Sequence, residues 1–171
     1  TTIGTSALFS AISGSVNATT ATMARISLPE MKKYNYDDAL STSSVAAGGT
    51  LGILIPPSVI LVLYGILTME PIGKLLIAGI LPGILQMVLF MLAIYFLVRR
   101  KPGIAPVTQK KPLSIKLRSL TYVWPFVLLF ALSIGGIYFG YFTPTEAGGV
   151  GAFGAFILTI ITRRLSWKDF Q

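Results

Sequence analysis

The chain has 171 residues, of which 53% are hydrophobic and only 12% charged, and its mean hydropathy is +0.75. Soluble domains carry about 25% charged residues, so most of this surface cannot face water. With neither cysteine nor histidine present, disulfide frameworks, Cys/His zinc sites, thiol nucleophiles and Ser-His triads are excluded.

The net charge of +8 raises the question of nucleic acid, but its distribution answers it. Seven of the fourteen basic residues fall between Arg99 and Arg118 with no acid among them. The stretches 1–24, 39–69, 75–98, 119–145 and 147–162 carry no charge. Basic clusters between uncharged apolar runs mark the cytoplasmic loops of a multi-pass membrane protein. The expected surroundings are a lipid bilayer, with no nucleic acid. The chain opens on Thr1-Thr2-Ile3-Gly4, without Met or a charged leader, and is read as an internal piece of a longer polypeptide.

In chain order, residues 1–24 are uncharged yet poor in large apolar side chains, with Ser10, Ser13, Gly14, Ser15, Asn17, Thr19 and Thr20 at their centre. Two readings fit. One is a buried helix that uses small residues for close packing. The other is a re-entrant hairpin over 1–33 that turns at Ser13-Gly14-Ser15-Val16-Asn17. Non-helical backbone at membrane depth is tolerated only inside protein or along a wet cavity.

Residues 38–69 are long enough to cross a membrane but are interrupted by Gly48-Gly49-Thr50-Leu51-Gly52 and by Pro56-Pro57-Ser58. Glycines weaken a helix, and tandem prolines remove two donors and push the preceding residue out of the helical region. The pattern predicts a discontinuous helix that stops, crosses in extended form and restarts at the prolines. Such breaks build ion and substrate sites in transporters. The carbonyl end of the first half suits a cation, and the amide end of the second an anion.

Further spans are expected over 72–98, 120–141 and 144–162, since about 20 apolar residues cross the hydrocarbon core. Residues 99–118 read as a basic cytoplasmic loop, with 113–120 fitting a short interfacial helix, and 163–171 as a cytoplasmic end. This threading places Arg25, Lys32, Lys33, the 99–118 cluster, Arg163, Arg164 and Lys168 on one side. Thr143-Pro144-Thr145-Glu146 fits a helix start with Thr as N-cap, Pro in the first turn and Glu three residues after the cap. The pairs Gly79/Gly83 and Gly136/Gly140 have the spacing of close helix–helix contacts.

Taken together, Ser13-Gly14-Ser15-Val16-Asn17-Ala18, Leu28-Pro29-Glu30-Met31, Gly48-Gly49-Thr50-Leu51-Gly52-Ile53-Leu54-Ile55-Pro56-Pro57-Ser58, Tyr64-Gly65, Ala78-Gly79-Ile80-Leu81-Pro82-Gly83 and Tyr141-Phe142-Thr143-Pro144-Thr145-Glu146-Ala147 resemble the large membrane subunit of tripartite ATP-independent periplasmic (TRAP) transporters. The resemblance covers essentially the whole chain. One departure is Tyr34-Asn35-Tyr36-Asp37, where a glycine commonly precedes the second tyrosine.

The resemblance implies an all-α elevator-type fold of inverted repeats in a bacterial inner membrane. This chain would supply the first hairpin (1–33), the first broken helix (38–69) and, at 144–162, the helix that opens repeat two. The hairpin and broken helix of repeat two would lie outside it. The implied function is sodium-coupled import of organic acid anions such as C4-dicarboxylates or sialic acid. The implied partners are a periplasmic binding protein that delivers the substrate and a small membrane subunit. No cofactor is expected beyond sodium as coupling ion. On this reading Ser13, Gly14, Ser15, Asn17, Gly49, Thr50 and Gly52 offer neutral oxygens to sodium, while Pro56, Pro57 and Ser58 aim a helix start and a hydroxyl at a substrate carboxylate. A non-transporting membrane scaffold is the alternative. An enzyme is not expected, because apart from the cap Glu146 the uncharged stretches offer no acid or base.

Overall fold

The computed structural model describes residues 2–106 and 124–161, which belong to two separate compact units divided after Gln109. The first holds helices α1 (Thr2–Ser13), α2 (Val16–Lys33), α3 (Asp38–Thr50), α4 (Val59–Thr68) and α5 (Ile72–Arg100). Short 3-10 turns follow α3 at Leu51–Ile53 and α5 at Pro102–Ile104. The second unit holds α6 (Trp124–Tyr138) and α7 (Pro144–Ile161). Among the described residues there is no strand.

Helices α1 and α2 form an antiparallel hairpin. At its open end the Thr2 hydroxyl reaches Met31 Sδ at 3.5 Å, and near its tip the Ser10 hydroxyl donates to Thr19 Oγ1 at 3.5 Å. The turn is tighter than the sequence suggests. Only Gly14 and Ser15 lie outside helix, and Val16 and Asn17 already belong to α2, whose N-cap is Ser15. Gly14 takes φ +60°, a left-handed conformation that costs an L-residue about 1–2 kcal/mol.

Over 38–69 the chain forms two helices, α3 and α4, with a break between them. The break is mostly a tight turn rather than an extended crossing: a 3-10 turn at Leu51–Ile53, then Leu54 still in the helical region. Helix resumes at Val59, after the prolines and not at them. Ser58 is the N-cap, the position that serine fills well because its oxygen accepts a first-turn amide.

The glycines of α3 and of the 3-10 turn after it each seat a different part of the hairpin. A Cβ on Gly48 would lie 2.7 Å from Ser6 Cβ of α1, one on Gly49 would overlap the Thr20 side chain of α2, and one on Gly52 would sit 3.1 Å from the Val16 amide. Beside them Leu51 is completely buried with Ile3 and Ala7, and Met87, Phe90 and Ile94 of α5 pack against that core.

Gly79 of α5 meets both the break and α4, where a Cβ would lie 2.8 Å from Leu61 Cδ1, and Gly83 meets the break. A Cβ on Gly79 would lie 2.6 Å from the Leu54 carbonyl, and one on Gly83 3.0 Å from Ile55 Cγ1. They let α5 back onto the broken segment. The pair Gly136/Gly140 does depart from a helix–helix contact. Gly136 accommodates the ring of Phe142, and Gly140, with φ +76°, turns the chain after α6.

At the other end of the first unit, the Asp37 amide donates to the Ile104 carbonyl at 3.0 Å. The turn after Lys32 and Lys33 and the turn after Arg99-Arg100-Lys101 therefore share one end of the unit. Asn35 has φ +57°, which explains how it stands where glycine is common, because asparagine tolerates the left-handed region. Helix α5 runs two residues beyond the expected 98, with Arg99 and Arg100 in its last turn, where cations meet the negative end of the helix dipole.

By length and composition, α5 alone among the described residues is long and apolar enough to cross a membrane. Its 29 residues extend for about 43 Å, and Leu81, Leu85, Leu89 and Phe96 along it are exposed.

In the second unit the expected cap is in place. The Thr143 amide and hydroxyl both donate to Glu146 Oε2 at 2.8 Å, and the Glu146 amide donates back to Thr143 Oγ1 at 3.3 Å. This is a reciprocal capping box. Gly151 and Gly154 face Ser133 and Leu129 of α6. Helix α6 ends at Tyr138, three residues short of the expected 141. The expectations for 107–123, including the interfacial helix, and for 162–171 lie outside the described residues.

Two stability outcomes follow from these contacts. Gly49→Val overpacks the α2–α3 contact and is expected to cost about 1–3 kcal/mol or more, read as a lower unfolding temperature of the complete protein. Gly103→Ala, at a position with nothing within 4 Å, is the control expected to leave that temperature unchanged. Thr143→Ala removes the cap of α7, costs about 1 kcal/mol, and should speed hydrogen exchange at the Glu146 amide.

Candidate functional site

Four helix ends meet where the hairpin tip touches the broken helix. The Val59 amide, first in α4, donates to the Gly14 carbonyl at 3.1 Å. Gly14 is packed so closely on the Pro57 carbonyl that a Cβ would overlap it. Gly52 lies against the 15–16 peptide, a Cβ there falling 3.2 Å from the Ser15 carbonyl carbon. The carbonyl ends of α1 and α3 and the amide ends of α2 and α4 are thus gathered in one place. Their unpaired backbone groups carry partial negative and positive charge respectively. An open cleft beside this junction is lined by Ser13, Gly14, Pro57, Ser58, Val59, Val62 and Leu63.

Of the expected site residues, Ser13, Gly14, Ser15, Gly52, Pro57 and Ser58 come together at the junction. The Ser13 hydroxyl lies 2.8 Å from Thr19 Oγ1 and accepts from the Ser15 amide at 3.4 Å, so it braces the inside of the tip. Pro56 is fully buried, as is Ser58, and a cis peptide bond joins Pro56 to Pro57.

The Ser58 hydroxyl is more occupied than the sequence suggests. It donates to the Ile53 carbonyl at 2.6 Å and accepts from the Leu61 amide at 3.4 Å, spanning the break. The Val62 amide is bonded to the Ser58 carbonyl at 3.1 Å. The Val59, Leu61 and Val62 amides of the first turn of α4 are thus all bonded within the protein.

Three expected residues stand apart from this arrangement. Gly49 sits one turn from the tip, against Thr20. Thr50 turns toward α5: its hydroxyl donates to the Ala47 carbonyl at 2.7 Å and accepts from Gln86 Nε2 at 3.2 Å. Asn17, in the first turn of α2, is exposed.

The structure also brings in residues that sequence reasoning passed over. Thr19 is completely buried and is the partner that Ser10 and Ser13 share. Ser6, Ser10 and Ser13 recur at i, i+4 and i+7, so they lie along one face of α1, a signal available in the sequence. Ser6 is buried against Gly48 and its hydroxyl has no partner. Gln86, the one amide in the uncharged stretch 75–98, was equally visible.

No group of three or more Asp, Glu, His or Cys residues that could hold a metal ion occurs among the described residues. Any cation at this junction would meet hydroxyl and carbonyl oxygens, the ligand type that hard cations accept.

Comparison with known proteins identifies the family. A family model described as the DctM component of the tripartite ATP-independent periplasmic transporter matches residues 1–171. The C4-dicarboxylate TRAP transporter large permease protein DctM of Pseudomonas aeruginosa is 40% identical over 165 residues, covering 95% of this chain and 38% of that protein. The sialic acid TRAP transporter large permease protein SiaM of Vibrio cholerae is 32% identical over 166 residues, covering 96% of this chain and 38% of that protein. The ectoine TRAP transporter large permease protein TeaC of Halomonas elongata is 35% identical over 159 residues, covering 92% of this chain and 36% of that protein. The chain therefore spans well under half the length of these relatives. A family match from the first residue to the last, together with a hairpin seated on a broken helix, places this chain in the DctM component family of TRAP transporters.

Proposed function

We propose that the complete permease containing this chain imports organic acid anions across a bacterial inner membrane, coupled to sodium. A periplasmic binding protein delivers the anion, and a small membrane subunit completes the complex. The hairpin α1–α2 is re-entrant, and it moves with the broken helix α3–α4 as part of an elevator whose second inverted repeat supplies the other half of the site.

The observation that carries this reading is the junction of the hairpin tip with the break, held by the bond from Val59 to Gly14. Interrupted helices place backbone charge where a membrane would otherwise forbid it. Sodium takes oxygens from among Ser13, Gly14, Ser15 and Gly52 at the junction and Asn17, Gly49 and Thr50 around it. The anion faces the α4 start formed by Pro56, Pro57 and Ser58. There Ser58 gives its own proton to Ile53, so it holds the turn while the amide end of α4 faces the carboxylate. C4-dicarboxylates, sialic acid and ectoine, named for three relatives, carry a carboxylate group, and isethionate, named for another, a sulfonate, so an anionic oxygen group is the common feature such an amide end would recognise.

The test is uptake into proteoliposomes holding the complete permease and its small subunit, with candidate acids supplied on the binding protein. Uptake is expected with an inward sodium gradient and not with a potassium gradient. Asn17→Ala or Thr50→Ala should raise the half-saturating sodium concentration about fivefold, the scale of one lost oxygen contact of about 1 kcal/mol. Unchanged sodium dependence in both variants would remove the ion assignment while leaving a transporter.

A further inference from the structure

Gln86 belongs to the same face of α5 as the two glycines that back onto the break. Gly79, Gly83 and Gln86 recur at i, i+4 and i+7. The glycines bring α5 against Leu54 and Ile55, and the third residue of the stripe reaches across to the last residue of α3. Its Nε2 donates to Thr50 Oγ1 at 3.2 Å, while the Thr50 hydroxyl gives its own proton to the Ala47 carbonyl at 2.7 Å. A threonine hydroxyl has one proton and two lone pairs. These two bonds therefore fix the side chain and leave a single lone pair in a set direction.

The other end of the same amide is unsatisfied: Gln86 Oε1 is buried and has no partner. In an apolar surrounding an unmet acceptor is costly. An amide that served only to hold two helices together would gain nothing from keeping it. An unmet oxygen beside an oriented hydroxyl suits a site that is completed by a cation.

We propose that Gln86 is a positioning residue for the ion site, acting through Thr50. Its N–H group holds the Thr50 hydroxyl with one lone pair free, and its carbonyl oxygen adds negative potential beside it. This inference rests on the reading of Thr50 as a sodium ligand. It adds a residue from α5, which lies outside both the hairpin and the broken helix.

The experiment uses the complete permease with its small subunit and binding protein in proteoliposomes, comparing wild type, Gln86→Met, Thr50→Val and the double variant. Gln86→Met keeps length and removes both polar ends. It is expected to raise the half-saturating sodium concentration about three- to tenfold, the scale of one hydrogen bond, with the rate at saturating sodium retained. The double variant should need no more sodium than Thr50→Val alone, because both substitutions break the same chain of bonds. An unchanged sodium curve in Gln86→Met overturns the proposal, as does a loss confined to the maximal rate, or effects that multiply in the double variant. Should Gln86→Met fail to assemble, Gln86→Asn keeps the amide but falls one methylene short of Thr50. It is expected to shift the sodium curve in the same direction, and an unshifted curve overturns the proposal equally. Wild-type uptake indifferent to sodium would overturn the sodium reading and this inference together. A sodium-dependent wild type with unaffected Gln86 variants overturns this inference alone.

Discussion

The hydrogen bond from the Val59 amide to the Gly14 carbonyl joins the hairpin tip to the break between α3 and α4. A helix start leaves amides unpaired, and a helix end leaves carbonyls unpaired. Buried backbone groups of that kind must find partners. Here the carbonyl at the hairpin tip and the first amide of α4 satisfy each other. The contact requires a left-handed residue with no side chain, which Gly14 supplies. The rest of the packing follows from it. Gly48, Gly49 and Gly52 let the hairpin lie directly on α3, and Gly79 and Gly83 let α5 cover the break from behind.

Polarity in this interior comes from neutral groups. Ser6, Ser10, Thr19, Ser41, Ser44 and Ser58 are all buried. Several of them return their protons to backbone carbonyls, as Ser41 does to Asp37 at 2.9 Å and Ser44 to Leu40 at 2.6 Å. A buried ionised side chain would carry a large desolvation cost in a membrane. Hydroxyls and helix ends provide fields without that cost, and they do so at fixed positions. The arrangement ties packing directly to chemistry, because the glycines that allow close approach also set where the backbone charges converge.

Much of the local structure was legible in the residues. The capping box at Thr143 and Glu146 follows from composition and spacing alone, because its bonds close within one helical turn. The break after Thr50 was legible from its glycines and prolines. Its internal form was not, since a 3-10 turn and an extended crossing are both open to the same residues until neighbours select one. Asn35 in place of glycine became intelligible only with its backbone angle. The stripe Gly79/Gly83 announced a close contact but not its partners, which proved to be the break and Leu61 of α4.

Sequence by itself determined the class of the protein, the interruptions in two of its segments and the family it belongs to. Those features depend on short-range chemistry: hydrophobic run length, proline and glycine backbone limits, and caps that close within a turn. Only the tertiary structure decided which interruptions meet. It put Gly14 against Pro57 and Val59, turned Thr50 away from the hairpin toward Gln86, engaged the Ser58 hydroxyl with Ile53, and left Asn17 exposed. Each of these outcomes depends on side chains or backbone groups from elements far apart along the chain. Helical periodicity says which face a residue occupies, and packing alone says what that face meets.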